Sequence, residues 1–111
     1  RLKRYRSGHS AEWVAAAYLI LRGHRIIARR FKTAAGEIDI VTLKSGRIAF
    51  VEVKRRAMIA DCEASITPKL RQRVRAAANV WMAKHPKHQS LDCGFDLVFI
   101  LPWPVYLPDA L

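Results

Sequence analysis

The fold is decided by EIDIVTLKSGRIAFVEVK, residues 37–54. Aliphatic residues alternate with polar ones on both sides of the central Lys-Ser-Gly-Arg, and this pattern predicts a β-hairpin. If the hairpin turns symmetrically about Ser-Gly, opposed residues have numbers that sum to 91. Ile38 then lies opposite Val53 and Ile40 opposite Val51, so that both pairs share one apolar face of the hairpin.

The same register brings four charged side chains together on the other face. Asp39 lies opposite Glu52, and Glu37 lies opposite Lys54. Like charges so placed destabilise a sheet, but two carboxylates can share a hard cation such as Mg²⁺ or Mn²⁺, which prefers oxygen ligands and retains water. Lys54 would then orient a water or stabilise charge on a phosphate, and Glu37 would hold Lys54 or join the metal shell. The alternative is that these residues are simply the solvated face of an amphipathic hairpin.

The net charge predicts a polyanionic partner. The chain has 20 Lys and Arg against 9 Asp and Glu, with a net charge of +11 and a pI near 10.5. Such an excess attracts nucleic acid and makes binding salt-dependent through counterion release. No apolar run approaches the roughly 20 residues that span a bilayer, so we expect no membrane association. Two cysteines without a C-x-x-C pair, and no secretory signal, favour a reduced, cytoplasmic protein.

Capping residues and apolar periods predict the other elements. They are a helix capped by Ser7 or Ser10 that ends before Gly23, a strand over 25–31, a helix from Thr67-Pro68 to residue 84, and a buried strand over 95–101. We expect a mobile basic arm over 1–6, an exposed connection over 55–65, and a Pro-rich tail over 102–111 that forms an edge strand or a surface segment. The order is α-β-β-β-α-β, which predicts one mixed sheet with helices packed on it, in a single domain over 1–111.

G-E-I-D, followed at hairpin distance by F-V-E-V-K-R, resembles the YraN-like family of small bacterial proteins. That family belongs by fold to the restriction-endonuclease-like, PD-(D/E)XK, group, which also includes archaeal Holliday junction resolvases. The resemblance extends to Ala11-Glu12 in the first helix, Lys69 in the second helix, Phe95-Asp96 and the C-terminal Asp-Ala-Leu. Two positions depart from the pattern, because Ile38 replaces the Pro of the motif's name and Gly94 stands where many relatives have Arg.

The resemblance implies both a fold and a set of site residues. The implied fold is a restriction-endonuclease-like αβββαβ core with a mixed central sheet flanked by helices. The implied metal ligands are Asp39 and Glu52, with Lys54 as the catalytic lysine and Glu12 as a further catalytic residue that reaches the site from the first helix.

Further residues are candidates for contacts around this site. Lys69 and Gln72 share one helix face, where they would contact phosphate or a water at the metal, unless that face is merely solvated. Candidates for backbone contacts to nucleic acid are Arg29, Arg30, Lys32, Arg55, Arg56 and Arg73. Asp96 leads a buried strand and is expected to cap it or to pair with a basic residue. Trp13 and Trp81 lie on apolar helix faces and are expected in the core.

The leading functional expectation is a Mg²⁺- or Mn²⁺-dependent endonuclease-like protein that acts on DNA, with branched or junction DNA in repair or recombination as one substrate class. Two alternatives stay open: a non-catalytic nucleic-acid-binding module of the same fold, and a protein-interaction domain with a remnant site. A homodimer is also expected, because cutting both strands symmetrically needs two sites.

Overall fold

Five strands and three helices make up the fold. The structure is a computed structural model that describes the backbone of residues 2–111 and the side chains of residues 10–111. The elements are α1 (Leu2–Leu21), β1 (Arg25–Lys32), β2 (Glu37–Lys44), β3 (Arg47–Arg55), α2 (Ile59–Ala64), α3 (Pro68–Lys84), a 3₁₀ turn (Pro86–His88), β4 (Asp92–Ile100) and β5 (Pro104–Leu107).

The strands form one mixed sheet in the order β1-β2-β3-β4-β5. Strands β1, β2 and β3 are antiparallel neighbours, β4 runs parallel to β3, and β5 is antiparallel to β4. A parallel pair needs a long crossover connection, which α2 and α3 supply between β3 and β4. The predicted α-β-β-β-α-β core and the edge position of the C-terminal tail are therefore confirmed. No helix in the described part of the chain has the length and apolar character to cross a bilayer.

Two apolar layers cover the sheet, one on each face. In the α1 layer, Leu19 packs with Val51 of β3. In the α3 layer, Val74 and Trp81 pack with Phe50, the neighbour of Val51 on the same strand. Because successive strand residues point to opposite faces, a nearly continuous apolar run in β3 fills both layers at once. The core position predicted for Trp81 is confirmed.

The predicted hairpin register is confirmed next to the turn. Pairs run from Ile40 opposite Val51 down to the turn, and each pair sums to 91. The turn residues Ser45 and Gly46 have φ of 51° and 75°, as the type I′ turn of a two-residue hairpin requires.

Strand β2 is distorted beyond this point. Ile38 packs in the α3 layer whereas Ile40 packs in the α1 layer, so the prediction that both share one face is wrong. The β2–β3 register ends at Ile40 opposite Val51. On the other side of β2, Arg30 lies between the residues paired with Ile38 and Ile40 and has φ of 51°. A left-handed residue interrupts the regular pleat, and this irregularity lies where β2 enters the candidate site.

The start of the first helix and the structure of the 55–65 connection differ from the predictions. Helix α1 begins at Leu2 and not at Ser7 or Ser10, because the leucine, lysine and arginine before these serines are strong helix formers that extend the helix. The backbone of residues 2–6 of the predicted arm thus belongs to α1, while its side chains lie outside the described residues. Helix α2 lies within the connection predicted over 55–65 and buries Cys62; its six residues are too few to show an apolar period.

Candidate metal-binding and catalytic site

Asp39 is held in place by the backbone of the neighbouring strand. Its Oδ2 accepts a hydrogen bond from the Val53 N–H at 2.8 Å. The last regular β2–β3 pair is Ile40 with Val51, so this bond forms just beyond the end of the ladder. A carboxylate oxygen here takes the part of a backbone carbonyl in the ladder. The side chain is therefore fixed against β3, beside Glu52, before any ligand binds.

Glu52 and Lys54 form the second half of the site. Glu52 is only 7% exposed, the charge of Asp39 acts on its carboxyl group, and Lys54 Nζ lies 3.2 Å from Glu52 Oε2. The interpretation of this face as the solvated side of a hairpin is therefore wrong for Glu52. Lys54 forms its ion pair with Glu52 on its own strand and not with Glu37, which is exposed.

The electrostatics of the pair are those of two carboxylates that share one proton. Burial and the charge of Asp39 raise the pKa of Glu52 to about 8, although Lys54 opposes the shift. Burial also raises the pKa of Asp39, and the hydrogen bonds from Val53 and Glu52 oppose it. Two adjacent carboxylates that are shielded from water cannot both ionise cheaply, so the pair favours holding one proton when no cation is bound.

Glu12 approaches Asp39 from the α1 side. Burial raises the pKa of Glu12, the charge of Asp39 raises it further, and Arg30 and Arg29 oppose both effects. A small cavity of about 80 Å³ lies between Glu12 of α1 and Asp39 of β2. Its lining residues are Glu12, Arg30, Lys32, Glu37, Ile38 and Asp39. The residue that the resemblance placed at the site from the first helix thus lies within electrostatic reach of it.

The donor set fits one hard divalent cation. Among the described side chains, no three His, Cys, Asp or Glu residues converge into a ready-made metal cage. Mg²⁺ does not need one, because it commonly binds through one or two carboxylates and keeps several waters. Asp39 and Glu52 supply these two carboxylates, and a cation there would take over the stabilising role of the shared proton.

Comparison with known proteins gives the family. A family model described as "Uncharacterised protein family UPF0102" matches residues 11–100. This chain belongs to the UPF0102 family. A UPF0102 protein of Rhodopseudomonas palustris (strain BisA53) is 49% identical over 102 residues, which cover 92% of this chain and 78% of that protein. A UPF0102 protein of Mesorhizobium japonicum is 41% identical over 112 residues, which cover 99% of this chain and 90% of that protein. The resemblance to the YraN-like family is therefore confirmed.

In this UPF0102 chain, the first turns of α3 lie beside the loop that precedes Glu37. A Cβ atom at Gly36 would overlap the carbonyl oxygen of Arg73, so the loop and the helix backbone are in direct contact. Lys69, Gln72 and Arg73 are all exposed on this part of α3. Within the described residues, neither Lys69 nor Gln72 is hydrogen-bonded to the Asp39–Glu52 pair.

Basic residues surround the same end of the sheet. Arg30 and Lys32 line the small cavity with Glu12. Arg55 and Arg56 directly follow Lys54 at the end of β3 and are exposed. The guanidinium group of Arg29 lies over the ring of Trp13 in α1. The candidate backbone contacts from β1 and β3 thus flank the carboxylates.

Asp96 belongs to a separate polar network that sequence reasoning largely missed. It is fully buried and accepts two hydrogen bonds from the guanidinium group of Arg47, at 2.7 and 2.9 Å. Arg47 also donates to Asp109 at 2.8 Å, and the Tyr106 hydroxyl donates to Asp96. The expected pairing of Asp96 with a basic residue is confirmed. A Cβ at Gly94 would overlap the Arg47 guanidinium, so the departure from Arg at this position makes room for Arg47.

Proposed function

We propose that this protein is a metal-dependent nuclease that acts on DNA. The observation that carries the proposal is the pairing of half-buried Asp39 with buried Glu52, with Lys54 Nζ 3.2 Å from Glu52 Oε2. Burial of two neighbouring carboxylates disfavours their charged forms unless a cation binds them. An arrangement that is unfavourable for folding alone is expected at functional sites.

The residues of the pair and its neighbours have distinct roles. Asp39, fixed by the Val53 N–H, and Glu52 would hold one Mg²⁺ or Mn²⁺. When bound, such a cation supplies Lewis-acid chemistry: it lowers the pKa of a water and neutralises charge on a phosphate oxygen. Lys54 is placed to orient the attacking water and to stabilise negative charge that develops on the phosphate. Glu12 adds a carboxylate on the far side of Asp39 that can accept a hydrogen bond from water in the cavity.

The charge distribution supports a nucleic-acid substrate. The net charge is +11, while the acidic residues of the site lie within a basic surround formed by Arg30, Lys32, Arg55 and Arg56. Basic residues at such positions neutralise phosphates and release counterions. A binding constant that falls linearly with salt on a log–log plot, with a slope of about −0.9 for each phosphate contacted, is the expected signature.

The proposal is tested by cleavage of labelled linear, flapped and four-way DNA with Mg²⁺, with Mn²⁺ and with chelator. We expect cleavage only with a cation, and a loss of at least about 100-fold in Asp39→Asn and Lys54→Met, because each variant removes a charge that acts in the transition state. Asp92→Asn is the matched control, since Asp92 is exposed at the far end of the sheet.

Two results would count against catalysis. Cleavage that is unchanged in Asp39→Asn would rule out the assigned site. Binding without cleavage of any substrate would favour the alternative of a non-catalytic nucleic-acid-binding module. Paired cuts on four-way DNA, together with the mass of the protein in solution, test the proposed homodimer.

A further inference from the structure

Trp13 is an exposed tryptophan beside the candidate site. Its side chain is 58% exposed, so the prediction that it lies in the core is wrong. Among the described side chains of α1, the buried ones are Ala11, Ala15, Ala16 and Leu19. Trp13 lies at the edge of this buried face, about 60° around the helix from Ala16 and about 160° from Ala11 and Ala15. Exposure of so large an apolar ring to water is unfavourable, so an exposed tryptophan beside the candidate site suggests a binding surface.

The ring of Trp13 is held by an arginine from the sheet. The guanidinium carbon of Arg29 lies 4.0 Å from the ring centroid, which is the geometry of a cation–π contact. Arg29 covers one face of the indole and restrains it, while the exposed part of the ring stays available. The result is a flat aromatic surface with a positive charge against it.

This surface lies next to the carboxylate site, because the charge of Arg29 acts on Glu12. Trp13 directly follows Glu12 in α1, and Arg29 directly precedes Arg30 in β1. Glu12 and Arg30 both line the cavity that contains Asp39. A DNA strand whose phosphate lies at Asp39 would therefore pass beside the indole ring.

An unpaired base fits this surface better than duplex DNA does. In a duplex each base is stacked on its neighbours, and only its edges are accessible in the grooves. In a single strand the flat face of a base is free to stack on an aromatic side chain. The positive charge of Arg29 suits the phosphates on either side of such a base.

We propose that Trp13 and Arg29 form a stacking platform for an unpaired base of DNA next to the Asp39–Glu52 pair. The proposal rests on the proposed function only in taking DNA as the substrate, and it narrows that substrate to DNA with a single-stranded segment, such as a flap, a gap or the branch point of a junction. Fully paired linear DNA would use the basic surround alone.

Binding is measured without cleavage, in chelator, with oligothymidine as the single-stranded probe and a blunt duplex as the comparison. Trp103 is 79% exposed and Trp81 is buried, so a Trp103→Phe background leaves Trp13 as the exposed fluorophore. We expect oligothymidine to quench its fluorescence. We expect Trp13→Ala to weaken oligothymidine binding about 10-fold or more, which is the usual range for loss of one base–aromatic stack, and to change duplex binding little.

Two further variants separate stacking from charge. Trp13→Lys adds a positive charge but removes the ring. If charge alone drives binding, this variant should bind oligothymidine more tightly than the wild type. If stacking drives binding, it should bind more weakly, and this is the result we expect. Trp13→Phe keeps an aromatic ring and should retain most of the affinity. Trp103→Ala, the matched control, removes an even more exposed tryptophan from the β4–β5 connection and should leave the affinity unchanged.

The outcomes distinguish this proposal from the nuclease proposal. If Trp13→Ala loses single-strand selectivity while no DNA is cut, the platform stands and catalysis fails. If DNA is cut but Trp13→Ala and Trp13→Lys bind oligothymidine as the wild type does, the platform is overturned. Absence of oligothymidine binding by the wild type at low salt also overturns it. Unchanged circular dichroism of the variants excludes a folding defect.

Discussion

Replacement of Glu52 by glutamine tests whether the metal-free site holds a proton. Burial and the charge of Asp39 raise the pKa of Glu52 from its ordinary value of 4.5 to about 8. Between these values the folded protein keeps a proton that the unfolded chain has released. Folding stability must then fall as pH rises through this window, because the folded state binds more protons than the unfolded one.

The size of the effect follows from the one proton involved. Within the window, one proton changes the free energy of unfolding by about 1.4 kcal/mol for each pH unit. Glutamine copies the protonated acid but does not titrate, so it serves as the reference. Between about pH 5.5 and about pH 7.5, the wild type should therefore lose about 3 kcal/mol relative to Glu52→Gln.

Urea unfolding of both proteins in chelator at the two pH values measures this difference. Glu37→Gln, which neutralises an exposed acid near the site, is the matched control and should follow the wild type. Mg²⁺ added at the higher pH should stabilise the wild type and not Glu52→Gln, because the cation replaces the proton. If the stability of Glu52→Gln parallels that of the wild type across the pH range, the shared-proton description of the site is refuted.

Two further substitutions test the scaffold that holds the site. Arg47→Met leaves Asp96 buried without its cation, so we expect a loss of about 3 kcal/mol in the free energy of unfolding by urea; Arg47→Lys should lose less, and equal stability of all three proteins would contradict the network's role. Gly36→Ala would place a Cβ into the Arg73 carbonyl and should lower both stability and Mg²⁺-dependent cleavage. Gly46→Ala is its control: it faces open space at φ of 75° and should cost only about 1–2 kcal/mol with cleavage retained.

Local patterns in the sequence predicted most of the elements. The cap at Thr67, whose hydroxyl accepts the Leu70 N–H at 3.1 Å, and the Pro after it start α3 as expected. The alternation over 37–54 predicted both strands of the hairpin and their register next to the turn. These features depend on residues within a few positions of one another, so the sequence carries them directly. A six-residue helix such as α2 has no such signal.

The candidate site was predicted only in part, because some of its contacts depend on more than local sequence patterns. The hairpin register predicted that Asp39 lies opposite Glu52, and in the structure the charge of Asp39 acts on the carboxyl group of Glu52. The hydrogen bond from Val53 to Asp39 depends on where β2 leaves the ladder. Alternation alone cannot show where a strand bends.

The sequence by itself determined the hairpin, the long helices, the basic charge and the acidic pair, because each of these depends only on the local spacing of residues or on composition. Only the tertiary structure decided that Glu52 is buried and Trp13 exposed, since burial depends on which helix face meets the sheet. It also decided that Arg47 neutralises Asp96, 49 positions away along the chain. Such contacts form when distant segments pack together, and no short stretch of sequence encodes them alone.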